Sequence, residues 1–196
     1  HCLNNFEALT RLAKPTEARS RCRIDTLLFA IHEQLKADDY LDDAPKVTLQ
    51  FETCLEWGPI IYDDKKHKCV GKANYSFFFG EKNHTACHLV VLEAKQDNHT
   101  GDENSRGQLL AYLAMVRANR KARCQSNSSV WGVLSDGLEF SFYKLDHEGR
   151  WSYILLQVRR EGWSAIANLL AHILLQTLDT AASPLRPSGS ANPSAR

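Results

Sequence analysis

The sequence predicts an α+β fold (α/β in its layering), with helices packed on one mixed sheet, and three observations carry that prediction. Hydrophobic periodicity switches from helical to alternating and back along the chain, the pattern of helices layered on a sheet. Turn signals such as Asp136-Gly137 and Glu148-Gly149 separate the alternating stretches. A run of strand length, Leu89-Val-Val-Leu-Glu-Ala-Lys95, is apolar enough to be buried and ends on an acid and a lysine two residues apart.

Residues 1–14 carry a weak helical pattern in Phe6, Leu9 and Ala13, and 1–15 is expected as an N-terminal extension. Pro15-Thr16-Glu17 then opens a helix, because proline is tolerated in the first turn and an acid there is favoured by the dipole. Ile24, Leu27, Leu28, Ile31 and Leu35 form an apolar stripe that predicts an amphipathic helix over 16–36. Glu17, Arg21, Ile24 and Leu28 follow one line along it, which puts Glu17 at the N-terminal end of the inward face. The acidic stretch from Lys36 to Pro45 lacks the glycine and terminal glutamate of a calcium loop and is expected as a solvated connector.

Val47, Leu49, Phe51, Thr53 and Leu55 alternate with polar residues, the mark of a half-buried strand, and Asp63-Asp-Lys-Lys66 is the turn that follows. Cys69 to Phe79, aromatic-rich and closed by Gly80, predicts a second strand pairing back on the first. Glu81 to Thr85 turn the chain again, and Leu89 to Lys95 completes a meander of three strands. After a polar loop, Leu109, Leu113 and Val116 predict a helix from about Glu103 to Lys121, with Gln108, Tyr112, Met115 and Asn119 on the adjacent side. Short strands over 130–134 and 138–144 meet at Asp136-Gly137, a dipeptide of tight hairpins, and another covers 151–158. Ile166, Leu169, Leu170, Ile173 and Leu174 predict a buried helix over 163–178, and the Ser/Pro-rich run 183–196 reads as linker or disordered tail. The domain is therefore expected over 16–182.

With 196 residues, 43% hydrophobic and 24% charged, the chain is long enough to bury one proper core. Its apolar runs are far shorter than the ~20 residues of a spanning helix, so no membrane partner is expected. It starts at His1 and its single methionine is Met115, so it is expected to be part of a larger polypeptide. A net charge of +1 argues neither for nor against nucleic acid, since a groove needs only local positive surface. Arg19, Arg21 and Arg23 cluster, as do Arg117, Arg120, Lys121 and Arg123; each cluster is either such a surface or a solvated helix face. The six cysteines show no Cys-x-x-Cys pair, which favours reduced thiols over zinc. Asn74, Asn83, Asn98 and Asn127 begin glycosylation tripeptides short enough to arise by chance. His84 and His88 are expected as ordinary polar positions, because the first lies in a turn.

Chemistry enters at Glu93 and Lys95. Alternation along a strand points both the same way from the end of a buried run. A metal-dependent hydrolytic site accounts for such a pair, with the carboxylate on a cation and the ammonium on the attacking water; a solvent-exposed ion pair accounts for it equally well. On the predicted layout, however, three elements deliver polar groups to one edge. Asn74 comes from the second strand, Glu93 and Lys95 from the third, and Gln108 and Tyr112, four apart, from one face of the next helix.

This order resembles the PD-(D/E)xK nuclease superfamily, in which an Asp on one strand and acid-x-Lys on the next hold Mg²⁺ at the scissile phosphate. Gln108-Leu-Leu-Ala-Tyr112 is similar to the Gln-x-x-x-Tyr element of its RecB-type branch. Gly71-Lys-Ala-Asn-Tyr75, Leu89 to Lys95, Gln108 to Ala114 and Trp131-Gly-Val-Leu-Ser-Asp-Gly137 together resemble nuclease modules of fungal and oomycete Crinkler-type effector proteins and of fungal nuclease–kinase proteins. The resemblance covers about 16–178. It implies a restriction-endonuclease-like mixed sheet core flanked by helices, and a divalent-metal-dependent nuclease acting on DNA in preference to RNA, at an intracellular location that includes the nucleus.

By the same resemblance, Glu93 would be a ligand of Mg²⁺ or Mn²⁺, Lys95 the catalytic lysine, and Ala94 would offer its backbone carbonyl to the metal. Glu17 resembles the first-helix acid that supports the metal, and Gln108 and Tyr112 would orient the lysine or the phosphate. Lys95, Arg117, Arg120 and Lys121 are the candidate nucleic-acid contacts. One position departs from the family pattern. Where an Asp is expected, this chain has Asn74, isosteric but neutral, so affinity for a hard dication and rate should both fall. The implied alternatives are a weakened nuclease and an inactive module that binds nucleic acid or a protein partner.

Overall fold

The computed structural model of the chain describes residues 2–14, 16–40, 47–79, 88–95 and 102–181, without the side chains of Val47, Phe78, Phe79, 88–93 and 179–181. In chain order it contains α1 (Cys2–Thr10), α2 (Glu17–Ala37), β1 (Val47–Tyr62), β2 (Lys65–Phe79), β3 (His88–Ala94), α3 (Glu103–Ala122), β4 (Val130–Ser135), β5 (Glu139–Leu145), β6 (Trp151–Gln157) and α4 (Val158–Ala181). The strands form one six-stranded sheet in sequence order. All neighbours are antiparallel except β3 and β4, which run parallel, so the sheet is mixed and the fold α+β. A parallel pair needs a crossover, and α3 supplies it.

Helices cover both faces. Ile24, Leu27 and Ile31 of α2 and Ile166, Leu170 and Ile173 of α4 pack on Tyr75, Phe77, Ala94, Val133, Phe140 and Phe142. Leu109, Leu113 and Val116 of α3 pack on the other face, against Leu55, Val130, Leu134 and Tyr143. Close approach there depends on Gly132, where a Cβ would lie 3.0 Å from both methyls of Leu113. The N-terminal segment joins the first layer: Leu3 of α1 is buried in that cluster, and Glu7 grips the buried Arg23 of α2 with both carboxylate oxygens.

Elements differ from expectation chiefly in the first hairpin. β1 runs on to Tyr62 and β2 starts at Lys65, so the turn narrows to Asp63-Asp64, both at positive φ as a tight primed turn requires. Gly58-Pro59 breaks the pattern of β1 in sequence, but the strand absorbs it as a register shift between Trp57 and Ile60. At the other end, Gly162 (φ 77, ψ 167) interrupts α4, and the expected helix over 163–178 is the segment after that break. Asp136 makes the β4–β5 turn by accepting the backbone N–H groups of Leu138 and Glu139 on Oδ1.

Among the described residues Cys2, Cys22, Cys54, Cys69 and Cys124 are unpaired with one another and exposed. Asn127 accepts the Ser129 N–H on Oδ1 within its own loop, so that tripeptide is used structurally. The expectations for Asn83, His84, Asn98, the turn 81–85 and the tail 183–196 fall outside the described residues. Among the described residues no helix is long and apolar enough to cross a membrane.

Candidate active site

The site grows from a place where two paired strands part. β2 and β3 are in register from Phe77↔Val90 to Tyr75↔Leu92, and the pairing stops there. β3 continues beside β4, through Ala94↔Ser135 and a 2.8 Å bond from the Lys95 N–H to the Ser135 carbonyl. β2 continues beside β1, through Ala73↔Thr53 and Lys72↔Cys54. Backbone groups along the opening lose their ladder partners, and buried backbone groups need others. Side chains provide them. Asn74 Oδ1 accepts the Ala94 N–H at 2.8 Å, and the Tyr112 hydroxyl accepts the Lys72 N–H at 3.3 Å while donating to the Lys72 carbonyl at 3.1 Å.

α3 brings the remaining groups. Asp102 caps its start by accepting the N–H and the hydroxyl of Ser105, which sets the helix over the opening. One turn separates Gln108 from Tyr112, and Gln108 Nε2 donates to the Tyr112 hydroxyl at 2.6 Å. Lys95 Nζ in turn donates to Gln108 Oε1 at 3.0 Å. A continuous path therefore runs from the Lys95 ammonium through Gln108 and Tyr112 to the backbone of β2. Tyr112 is buried, and its ring lies directly on Gly71, where a Cβ would meet ring carbon Cε1 at 2.1 Å. Only a glycine lets the ring sit so close that its hydroxyl spans both backbone groups of Lys72. In the sequence the only signal of this approach is a glycine inside a strand pattern, and the motif that contains Gly71 gives it no further role.

Opposite Asn74 the first strand bends. Glu52 adopts φ 52, a left-handed conformation that costs a non-glycine residue about 1–3 kcal/mol, and the β1–β2 register passes from Phe51↔Tyr75 to Thr53↔Ala73 without pairing it. Its carboxylate is held by Lys72 Nζ at 2.6 Å and Arg21 Nη1 at 2.9 Å. The Lys72 hydrogen bond, aided by Arg21, keeps its pKa below the ordinary glutamate range. Beside Asn74, Tyr75 keeps its proton: burial, then the neighbouring Asp25 carboxylate, push its pKa well above the ordinary phenol value.

Asn74, Ala94, Lys95, Gln108 and Tyr112 thus converge. The backbone of Glu93 precedes Ala94 in β3, paired with Leu134, while its side chain is outside the described residues. Glu17 does not join them. It is half-exposed at the start of α2, bound to Arg21 at 2.8 Å, so among the described contacts it supports Arg21 rather than the opening.

The basic cluster on α3 is also corrected. Arg120 is only 2% exposed and donates to the Asn127 carbonyl at 2.7 Å. Arg117 donates to the carbonyls of Asp146 and His147 at 2.9 and 2.8 Å, clamping the β5–β6 turn. Both side chains pin loops, and they lie roughly 14 and 18 Å along the helix from Gln108; of that group Lys121 and Arg123 are exposed. Arg19, Arg21 and Arg23 are likewise engaged, by Glu7, by Glu17 with Glu52, and by Glu7.

The described oxygens at the opening are neutral: the Asn74 amide and the Ala94 carbonyl, which projects to the same side of its extended residue as the N–H that Asn74 accepts. Two neutral oxygens alone do not suit a hard dication, and the anionic donor the sequence places beside them is Glu93. Among the described residues no group of three or more His, Cys, Asp or Glu side chains is placed to hold a metal ion. Compared with known proteins, the chain matches no family model and no curated protein.

Proposed function

We propose that this chain is a divalent-metal-dependent nuclease domain of the PD-(D/E)xK type, acting on DNA inside the cell, the nucleus included, and weakened at Asn74. The observation that supports it is the ammonium of Lys95, held on Gln108 and Tyr112 at the mouth of two parting strands. Surface lysines are rarely fixed by a buried relay anchored to another strand's backbone, whereas a lysine that must meet a phosphate or an attacking water needs such fixing. Mg²⁺ or Mn²⁺, held by Glu93 with the Ala94 carbonyl and the position-74 side chain, would supply Lewis-acid stabilisation of the phosphate oxygens. Lys95 contributes donors oriented by Gln108, and Tyr112 keeps the opening at fixed width.

A second reading, an inactive module of the same fold that binds nucleic acid or a protein, is favoured by one observation. Asn74 is neutral and its oxygen already accepts the Ala94 N–H. Plasmid and linear DNA, and an RNA of matching sequence, incubated with Mg²⁺ or Mn²⁺ separate the two. Asn74→Asp should cut DNA roughly 10- to 100-fold faster than the parent, and adding Glu93→Ala or Lys95→Ala should abolish it. An Asn74→Asp protein that binds DNA yet cuts no better than Glu93→Ala leaves the binding module; one that does neither ends both nucleic-acid readings.

A further inference from the structure

Beyond the opening, the first hairpin has no other layer to pack on. From Gly58 to Val70 every residue is exposed apart from the half-buried Ile60, so β1 and β2 leave the domain as a two-stranded ribbon. From Trp57 to the turn it extends roughly 17 Å. Isolated two-stranded ribbons are marginal in water, and this one presents Ile61 at 65% and Tyr62 at 73% exposure. The register places Tyr62 with Lys65 and Ile60 with His67 on one face, and Ile61 with Lys66 on the other. Tyr62 and His67 are in edge contact, with ring centroids 6.0 Å apart. Lys68 is tied to Glu56, but among the described residues Lys65 and Lys66 take part in no ion pair.

We propose that this ribbon is a DNA-binding arm that lies in the major groove of duplex DNA and feeds the duplex to the opening at its base. The inference rests on the nucleic-acid reading above and names the form of substrate and where it is gripped. Lysines on both faces suit a polyanion that flanks the ribbon on two sides, as the two backbones of a groove do, better than a flat surface. The major groove of B-DNA, about 12 Å wide, admits a two-stranded ribbon, whereas the deep, narrow groove of duplex RNA does not. The arm is also continuous with the site: Gly71 and Lys72, which seat Tyr112, are the next residues of the same strand. Asp63 and Asp64 at the tip oppose phosphate, so the shaft makes the contact.

Fluorescence anisotropy with a labelled 20-base-pair DNA, over a salt series without divalent metal, tests this on the full chain. Lys65→Gln/Lys66→Gln should weaken binding roughly tenfold or more and flatten the slope of log K against log salt by about 1.8. Lys14→Gln/Lys36→Gln, with the same change in net charge, should do neither. Asp63→Asn/Asp64→Asn, which keeps residues tolerant of positive φ, should tighten binding. Duplex RNA of the same sequence should bind weakly and ignore all three changes. Equal losses in the arm and control variants, or an arm variant that binds like the parent, overturn the arm while leaving the nuclease reading standing. A parent chain that binds no DNA at low salt overturns both.

Discussion

Replacing Gly71 by alanine probes the relay without touching any of its polar atoms. Away from contacts, Gly→Ala in an extended strand stabilises by about 0.4–1 kcal/mol, because it restricts the unfolded chain. Here the added Cβ would sit 2.1 Å from Cε1 of Tyr112 and 3.0 Å from Cδ1 and Cζ. The ring must retreat by about 1 Å or more to regain the ~3.5 Å spacing of carbon atoms. Its hydroxyl then gives up some or all of its bonds to Lys72 N–H, Lys72 C=O and Gln108, each contributing about 1 kcal/mol net. Overpacking strain of about 1–3 kcal/mol is the alternative if the ring stays. Either route outweighs the entropic gain, so the expected net loss is about 2–3 kcal/mol, read as a shift in the urea midpoint at constant slope. In the Asn74→Asp background the rate should fall roughly 10- to 100-fold, since Lys95 is positioned through Gln108. The decisive comparison is a double-mutant cycle with Tyr112→Leu, in which the second change should be largely silent, giving a coupling of about 2–3 kcal/mol. A Gly71→Ala protein within about 0.5 kcal/mol of the parent, or one equally destabilised with and without Tyr112, refutes the seat.

Three other perturbations address the supports of the site. Glu7→Ala removes one carboxylate partner of Arg23, which is 1% exposed, and should cost about 2 kcal/mol, less than for a fully buried pair because Glu7 itself is partly exposed; limited proteolysis should then cut between α1 and α2. Glu52 has a folded pKa below its unfolded value, so the stability it contributes is present above the unfolded pKa and lost as pH falls through the folded one. The stability gap between the parent and Glu52→Gln should therefore hold near neutral pH and close on acidification below roughly pH 5; a gap that widens on acidification refutes the clamp. Arg120→Ala should lower stability by about 2 kcal/mol in thermal melts with no change in the salt slope of DNA binding, and Lys121→Ala should leave stability alone. An unchanged melt for Arg120→Ala would return that arginine to the surface.

Local periodicity carried most of the fold into view. The stripe of α2, the run of β3 and the Gln108/Tyr112 face of α3 each answer to one residue's neighbours at fixed spacing, and spacing is visible in a string. What stayed hidden depends on pairs far apart in sequence. Arg120 looks like any basic residue near a helix end, and only the approach of the 127 loop shows that its guanidinium is buried. The arm is longer than the pattern suggests because Asp63-Asp-Lys-Lys66 is turn-like in composition, while the cross-strand register that puts Lys65 and Lys66 in a ribbon is a tertiary fact. Glu17 shares its helical line with the buried Ile24 and Leu28, yet at the first turn it is exposed and paired with Arg21, one turn on, and the apolar stripe of α2 alone does not show that its inward face ends before Glu17.

Position 74 shows why the fold and the chemistry can come apart in this chain. At the point where β2 and β3 separate, the Ala94 N–H needs an acceptor, and a side chain of Asn or Asp length supplies one from the opposite strand. That demand is for an oxygen, and charge does not enter it. A dication at the same place would demand the charge as well. Asn74 therefore meets the structural requirement completely and would meet the proposed catalytic one only in part. Loss of activity at this residue need not loosen the opening, the relay to Lys95 or the arm beyond it. Asn74→Ala separates the two demands from the other side: it leaves the Ala94 N–H without its acceptor and should cost about 1–3 kcal/mol, whereas Asn74→Asp should cost little, because the acceptor is kept. If the alanine and aspartate variants unfold at the same midpoint, the bond to Ala94 is not what holds the strands at this separation, and the opening must be set by Tyr112 alone.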